Sequence, residues 1–224
     1  LGNVFVVGLE TPDLLVHVLK EFNENNVIDN HRELFKKYSE TMSNALQYHV
    51  DEIKTILDSY KNDNFSFAGI DSSAAPSKNC SSMVEVYELL GVPYFGAAGS
   101  VEASALLTRV FKAIKGVPLV GFSGLMLAVI EDEGLARGTI NKDYDIRSLL
   151  TYSSVCGIGL DTVPIPGDTS VEKISALMRD TGTMAFRLQK PLTVRLFPTP
   201  GLNAGDMTVY ESDDLCNCAV LEVP

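Results

Sequence analysis

The sequence predicts an α/β protein of alternating strand–helix units. Short β-branched or aromatic runs recur between amphipathic stretches, the pattern of a parallel sheet or barrel built from strand–helix–strand units. With 46% hydrophobic residues in 224, the chain can bury a sizeable core. No Pro/Gly/Ser-rich linker and no repeat interrupts it, so residues 1–224 read as a single α/β domain. The chain begins at Leu1, as expected of a fragment or a processed end.

"NVFVVG" opens as a buried strand. Thr11-Pro12-Asp13 then resembles a helix start, with proline at the first helical position. From Arg32 to about Tyr60, Phe35, Tyr38, Met42, Leu46, Val50, Ile53 and Leu57 recur at three- and four-residue steps and predict one long amphipathic helix. "FSFAGID" predicts a strand ending at Asp71, and "SSMVEVYELLG" a helix capped by Gly91. "VPYFG" predicts a further strand, and residues 101–115 a helix. "VPLVGFSG" is strand and loop, while "LMLAVIEDEG" fits strand or helix. "DYDIRSLLTYSS" predicts a helix. Thr169 and Glu172 fit a T-x-x-E capping box, opening a helix that runs to about Leu188. "LTVRLF" predicts the next strand, followed by a pair around "DMTVYE" and "CAVLEV".

A formal net charge of −11 argues against nucleic acid as a partner, because duplex binding rests on Lys and Arg neutralising phosphates. No apolar run approaches the roughly 18–20 residues of a membrane span, so no membrane partner is expected. Cys80, Cys156, Cys216 and Cys218 form no disulfide framework in a chain this long, which points to a reducing, cytoplasmic setting. No histidine pair has metal-ligand spacing.

In a parallel sheet, ligands bind at the carboxyl ends of the strands. Asp71, Ser123, Asp161 and the "PTPG" loop are expected there. Asp71 and Asp161 could supply a carboxylate pair, either for a hard divalent cation such as Mg²⁺ or for acid–base work. Glu131-Asp132-Glu133 could add charge to that pair, although such a run is more often a solvated surface. Ser72 and Ser123 flank the site as binding candidates. Gly157 and Gly159 permit close approach of a ligand or of another backbone. Asp168 and Thr169 read as helix-entry residues that could also touch a ligand. Arg195 is a candidate partner for an anionic substrate. Cys156 is the candidate nucleophile, although an apolar-flanked cysteine far from any histidine is more often core. "GAAGS" before a helix could cradle an anion.

The segments "GIDSSAAP", "FSGLMLAVIEDEGL", "CGIGLDTVPIPGDT" and "VRLFPTPG" together resemble a bacterial domain-of-unknown-function family. That resemblance implies a fold similar to the pyruvate formate-lyase-like α/β barrel of glycyl radical enzymes, of which this chain would form part or all. It matches mainly the C-terminal part of longer members and implies a cysteine near the barrel centre, where Cys156 is the position to test. No R-V-x-G-Y glycyl radical loop occurs in the chain. Two functions follow as expectations. One is an enzyme acting on a small anionic metabolite through Asp71 and Asp161. The other is a non-catalytic metabolite-binding or regulatory subunit, a homo-oligomer or one that pairs with a second chain completing the barrel.

Overall fold

A computed structural model of the chain describes residues 3–59 and 64–224. The elements run β1 (Val4–Gly8), α1 (Pro12–Asn25), α2 (His31–Ser59), β2 (Ser66–Asp71), α3 (Met83–Leu89), α4 (Ser100–Lys112), α5 (Glu133–Asn141), α6 (Ile146–Tyr152), β3 (Gly159–Pro166), α7 (Val171–Leu188) and β4 (Thr193–Thr199). The chain is therefore mixed α/β, as the sequence predicts. Tyr60, the last residue of the predicted long helix, lies outside the described residues.

β1 pairs with β2 and β3 with β4, both in parallel. Isolated parallel bridges extend each pair, Ile70 to Leu119 on one side and Ala128 to Asp161 on the other. Each pairing thus joins segments in chain order, with the first three in one sheet and the last three in the other. No closed barrel forms among the described residues.

The helices carry the expected apolar faces. Along α2, Tyr38, Met42, Leu46 and Val50 are buried. Full burial of side chains this size contributes about 1.5–3 kcal/mol each. The hydrophobic cluster runs without a break from Leu15 to Val223. All four cysteines are free thiols, and no described helix is long and apolar enough to cross a membrane.

Several local expectations are corrected. "VPYFG" is a turn, because Phe95 plugs the core edge-on against Tyr87, Tyr144 and Tyr152, with ring centroids 5.0–5.1 Å apart. "LMLAVIEDEG" ends in turns, and α5 begins only at Glu133, capped by Asp132. The C-terminal strand pair reduces to one antiparallel bridge, Met207 to Ala219. The cap of α7 is Ser170, which accepts from the Lys173 N–H, whereas the Thr169 hydroxyl donates to the Pro166 carbonyl. Asp161 is also not at a strand's carboxyl end. It is the third residue of β3, which continues through Pro164 and Pro166. The "GAAGS" cradle is absent: the N–H groups of Gly96, Ala97 and Ser100 are spent on Ser100, Tyr94 and Ala97.

The two sheets' loops meet at glycines. Gly157 donates to the Leu125 carbonyl at 2.9 Å. A Cβ on Gly157 would lie 2.5 Å from the Gly124 Cα, a backbone contact that no side-chain movement relieves. Gly157→Ala is therefore expected to cost about 1–3 kcal/mol by overpacking. Urea unfolding would show this as a lower midpoint with an unchanged slope.

Candidate functional site

Asp71 ends β2, and its carboxylate gathers the loop around it. Oδ1 accepts from the Ser73 N–H, the Ser73 hydroxyl and the Ser123 N–H, and Oδ2 accepts from the Phe122 N–H. A Cβ at Gly121 would strike Asp71 Oδ2, which explains the glycine there. Ser72 and Ser123 are buried, with hydroxyls that donate to the carbonyls of Phe111 and Val120. Every polar atom in this group has a partner within the protein, so the arrangement is a loop latch.

Burial, the largest single influence on Asp71, favours its neutral form. The Ser73 hydroxyl and the N–H groups of Ser73, Ser123 and Phe122 together outweigh it and hold the carboxyl below its ordinary value. A lowered carboxyl stabilises the fold above its unfolded pKa and loses that contribution as the pH falls through its folded pKa. Asp71→Asn is accordingly expected to flatten the acid limb of the stability profile. Urea midpoints measured from neutral pH down to about pH 3, near the ordinary Asp range, check it.

The other carboxylate is differently placed. Between Leu160 and Val163 the β3–β4 register slips, so that Asp161 and Thr162 together oppose Arg195. Two residues against one is a β-bulge, a device that re-aims side chains and occurs often beside functional sites. Thr162 carries it at φ +45°, a strained backbone for a β-branched residue. The Asp161 side chain is fully buried, and its Oδ1 accepts from Arg195 Nε at 2.5 Å. Arg195 Nη2 reaches Glu131 Oε1 at 3.2 Å. Asp161 Oδ2 and Thr162 Oγ1 are buried with no partner among the described residues, an uncommon condition in a folded interior.

The electrostatics follow from that geometry. Burial pushes the Glu131 carboxyl up, Arg195 pulls it back, and Asp161 adds to the rise. Asp161 holds the Arg195 guanidinium firmly charged. The site therefore contains two carboxylates in unlike surroundings, one sealed and one half-buried, bridged by a cation whose side chain is 46% exposed.

Asp71 and Asp161 make no common contact. Among the described residues their side chains share no hydrogen-bond partner. Among the described residues no three His, Cys, Asp or Glu side chains gather as a metal site. Arg195 also occupies the space between Asp161 and Glu131 that a cation would need.

Cys156 is buried, and its sulfur accepts from the Gly159 N–H at 3.2 Å, closing the turn into β3. Its carbonyl accepts from Lys190 Nζ at 2.8 Å. Gly157 and Gly159 serve backbone contacts, with Gly124 and Thr193 respectively. Asp168 and Thr169 line a cavity of about 350 Å³ with Lys173, Asn203 and Glu222. Neither Asp161 nor Arg195 faces that cavity, and its lysine already donates to the Val223 carbonyl. The orphaned buried carboxylate oxygen is the stronger chemical signal.

Sequence reasoning passed over Glu131 as a site residue in its own right, because it stands in an acidic run. The structure divides that run. Glu133 is exposed, Glu131 meets Arg195, and Asp132 is 1% exposed. Asp132 accepts from the Ser82 hydroxyl, the Met83 N–H and the Leu135 N–H. The readable signal was a cap: Asp132 stands just ahead of the helical "EGLARGTIN".

Fold and site together define a mixed α/β protein whose β3–β4 bulge holds a carboxylate–guanidinium–carboxylate group. The chain belongs to the family described as Uncharacterised ACR (DUF711), whose sequence profile matches residues 2–211. It is 38% identical over 144 residues to a UPF0210 protein of Pyrobaculum arsenaticum, covering 62% of this chain and 32% of that one. A UPF0210 protein of Desulforudis audaxviator is 36% identical over 148 residues, 64% and 33% of the two chains. One from Methanococcoides burtonii is 35% identical over 153 residues, 66% and 33%. The chain thus spans about a third of the length of the curated relatives it matches.

Proposed function

We propose that the Asp161–Arg195–Glu131 group is an acid–base site of an enzyme acting on a small polar metabolite. The observation that carries this reading is the buried, unpartnered Oδ2 of Asp161. A buried carboxylate oxygen without a donor costs stability, and a substrate N–H or O–H would satisfy it. Paired carboxylates in unlike environments divide into a group that stays charged and one that holds a proton more readily. Asp161, fixed by Arg195, takes the first role. Glu131, raised by burial, takes the second. The Arg195 side chain is 46% exposed, and guanidinium donors beyond those given to Asp161 and Glu131 suit a carboxylate or phosphate on the same substrate.

The strand order supports a barrel sector similar to the pyruvate formate-lyase-like fold, because consecutive parallel segments pair in chain order, as barrels require. In that reading the outer edges of β1 and β4 are completed by further strands from another segment or a second chain. Asp71 then acts beside the site, holding the loop that reaches Gly157. A reducing, cytoplasmic setting agrees with four free thiols.

The test is a depletion assay. The protein, Asp161→Asn and Glu131→Gln are each incubated with a complex small-metabolite extract, and consumption is followed by mass spectrometry. Consumption by the parent alone supports the enzyme. Retention of a metabolite by the parent without consumption supports the binding-subunit alternative. Equal behaviour of all three proteins overturns the site.

A further inference from the structure

A cavity of about 430 Å³ lies between the first turns of α2 and the face of α4, away from the residues of the bulge site. His31, Arg32, Phe35, Lys36, Glu102 and Arg109 line it. Three permanent cations thus face one carboxylate in a chain whose formal net charge is −11, a local reversal of sign.

Two of these three charges are left unpaired among the described residues. Arg32 and Arg109 make no hydrogen bond or ion pair among the described residues. Lys36 approaches Glu40 only to 3.7 Å, with its side chain 73% exposed. Glu102 is turned toward His31, whose Nε2 lies 3.2 Å from Oε2, and the His31 ring packs at a tilt against Phe35 with centroids 4.3 Å apart.

The placement also works against stability. Arg32 and Lys36 are four residues apart on one helical face, where like charges repel. Arg32 also lies in the first turn of a 29-residue helix, where the dipole disfavours cations. A free guanidinium kept at such a cost on α2, facing a second one from the last turn of α4, suits a ligand that brings the missing negative charge. The volume lies within the range of small-molecule sites, and arginine forks match phosphate oxygens two at a time.

We propose that this cavity binds a small phosphate-bearing ligand, clamped by Arg32 and Arg109 with Lys36 as the third charge. It is separate from the bulge site, and neither proposal depends on the other.

The probe is inorganic pyrophosphate, titrated calorimetrically into the parent against sodium chloride of matched ionic strength. The parent is expected to bind it saturably. Arg32→Gln and Arg109→Gln, on different helices, should each weaken binding about tenfold or more, since each loses charge-assisted hydrogen bonds. Lys54→Gln, which removes an exposed pair with Asp58 further along α2, should leave binding unchanged. Both arginines are exposed, and circular dichroism confirms the fold of each variant. If one variant misfolds, the other decides. Co-sedimentation with phosphatidylcholine vesicles doped with phosphatidic acid, lost in Arg109→Gln, would assign the phosphate to a lipid headgroup. Pyrophosphate binding without co-sedimentation would assign it to a soluble metabolite. No saturable binding to either probe, or equal binding by parent and arginine variants, overturns the site.

Discussion

Alanine in place of Asp132 is expected to destabilise the fold by about 3–5 kcal/mol, because three buried donors lose their acceptor at once. The Asp132 carboxylate ties together the starts of two helices. It caps α5 through Leu135 and receives both the Ser82 hydroxyl and the Met83 N–H at the start of α3. Burial pushes its carboxyl up despite the Ser82 hydroxyl and the surrounding N–H groups that favour its charge. Asparagine keeps one acceptor oxygen but turns an amide toward a donor, so Asp132→Asn should fall between parent and alanine. Urea unfolding of the three proteins checks the order. A change below about 1 kcal/mol for alanine, the scale of one ordinary cap, would mean that Asp132 is not the tie described.

The second large effect belongs to Arg195. Removing one partner of a buried ion pair costs about 3–5 kcal/mol, because the other charge is left uncompensated. Arg195 is half exposed, so water screens part of its charge, and about 2–4 kcal/mol is expected for Arg195→Gln. Asp161→Asn removes the stranded charge. The double variant should therefore be more stable than Arg195→Gln alone, with a coupling energy of about 1–3 kcal/mol in the cycle. Additive single effects would show that the 2.5 Å contact carries no energy.

The long stripe of α2 was legible because an amphipathic helix writes its buried face into local spacing. The start of α7 was legible to within one residue, since Thr169 and Ser170 are both competent caps and only geometry decides between them. The strand expected at Val92–Gly96 failed because tertiary packing of Phe95 among three tyrosines overrode local preference. Asp161, expected at the carboxyl end of a strand, lies inside β3. Pro164 and Pro166 read as loop, yet proline is tolerated where a strand needs no donor. The bulge at Thr162 and the division of Glu131 from Asp132 depend on register with β4 and on the packing of α3. The bulge has no local signature, and that of Asp132 is limited to its place as a cap ahead of α5.

The central claim is that Asp161, Arg195 and Glu131 form one electrostatic unit with Glu131 as its proton-holding member. Carbon-13 NMR titration of the Glu131 carboxyl, in the parent and in Asp161→Asn, tests it most directly. The account predicts a parent pKa above the ordinary glutamate value of about 4.3 and a lower one in Asp161→Asn, where a neighbouring negative charge is gone. Ordinary titration in the parent, or the same raised value in both proteins, would contradict it.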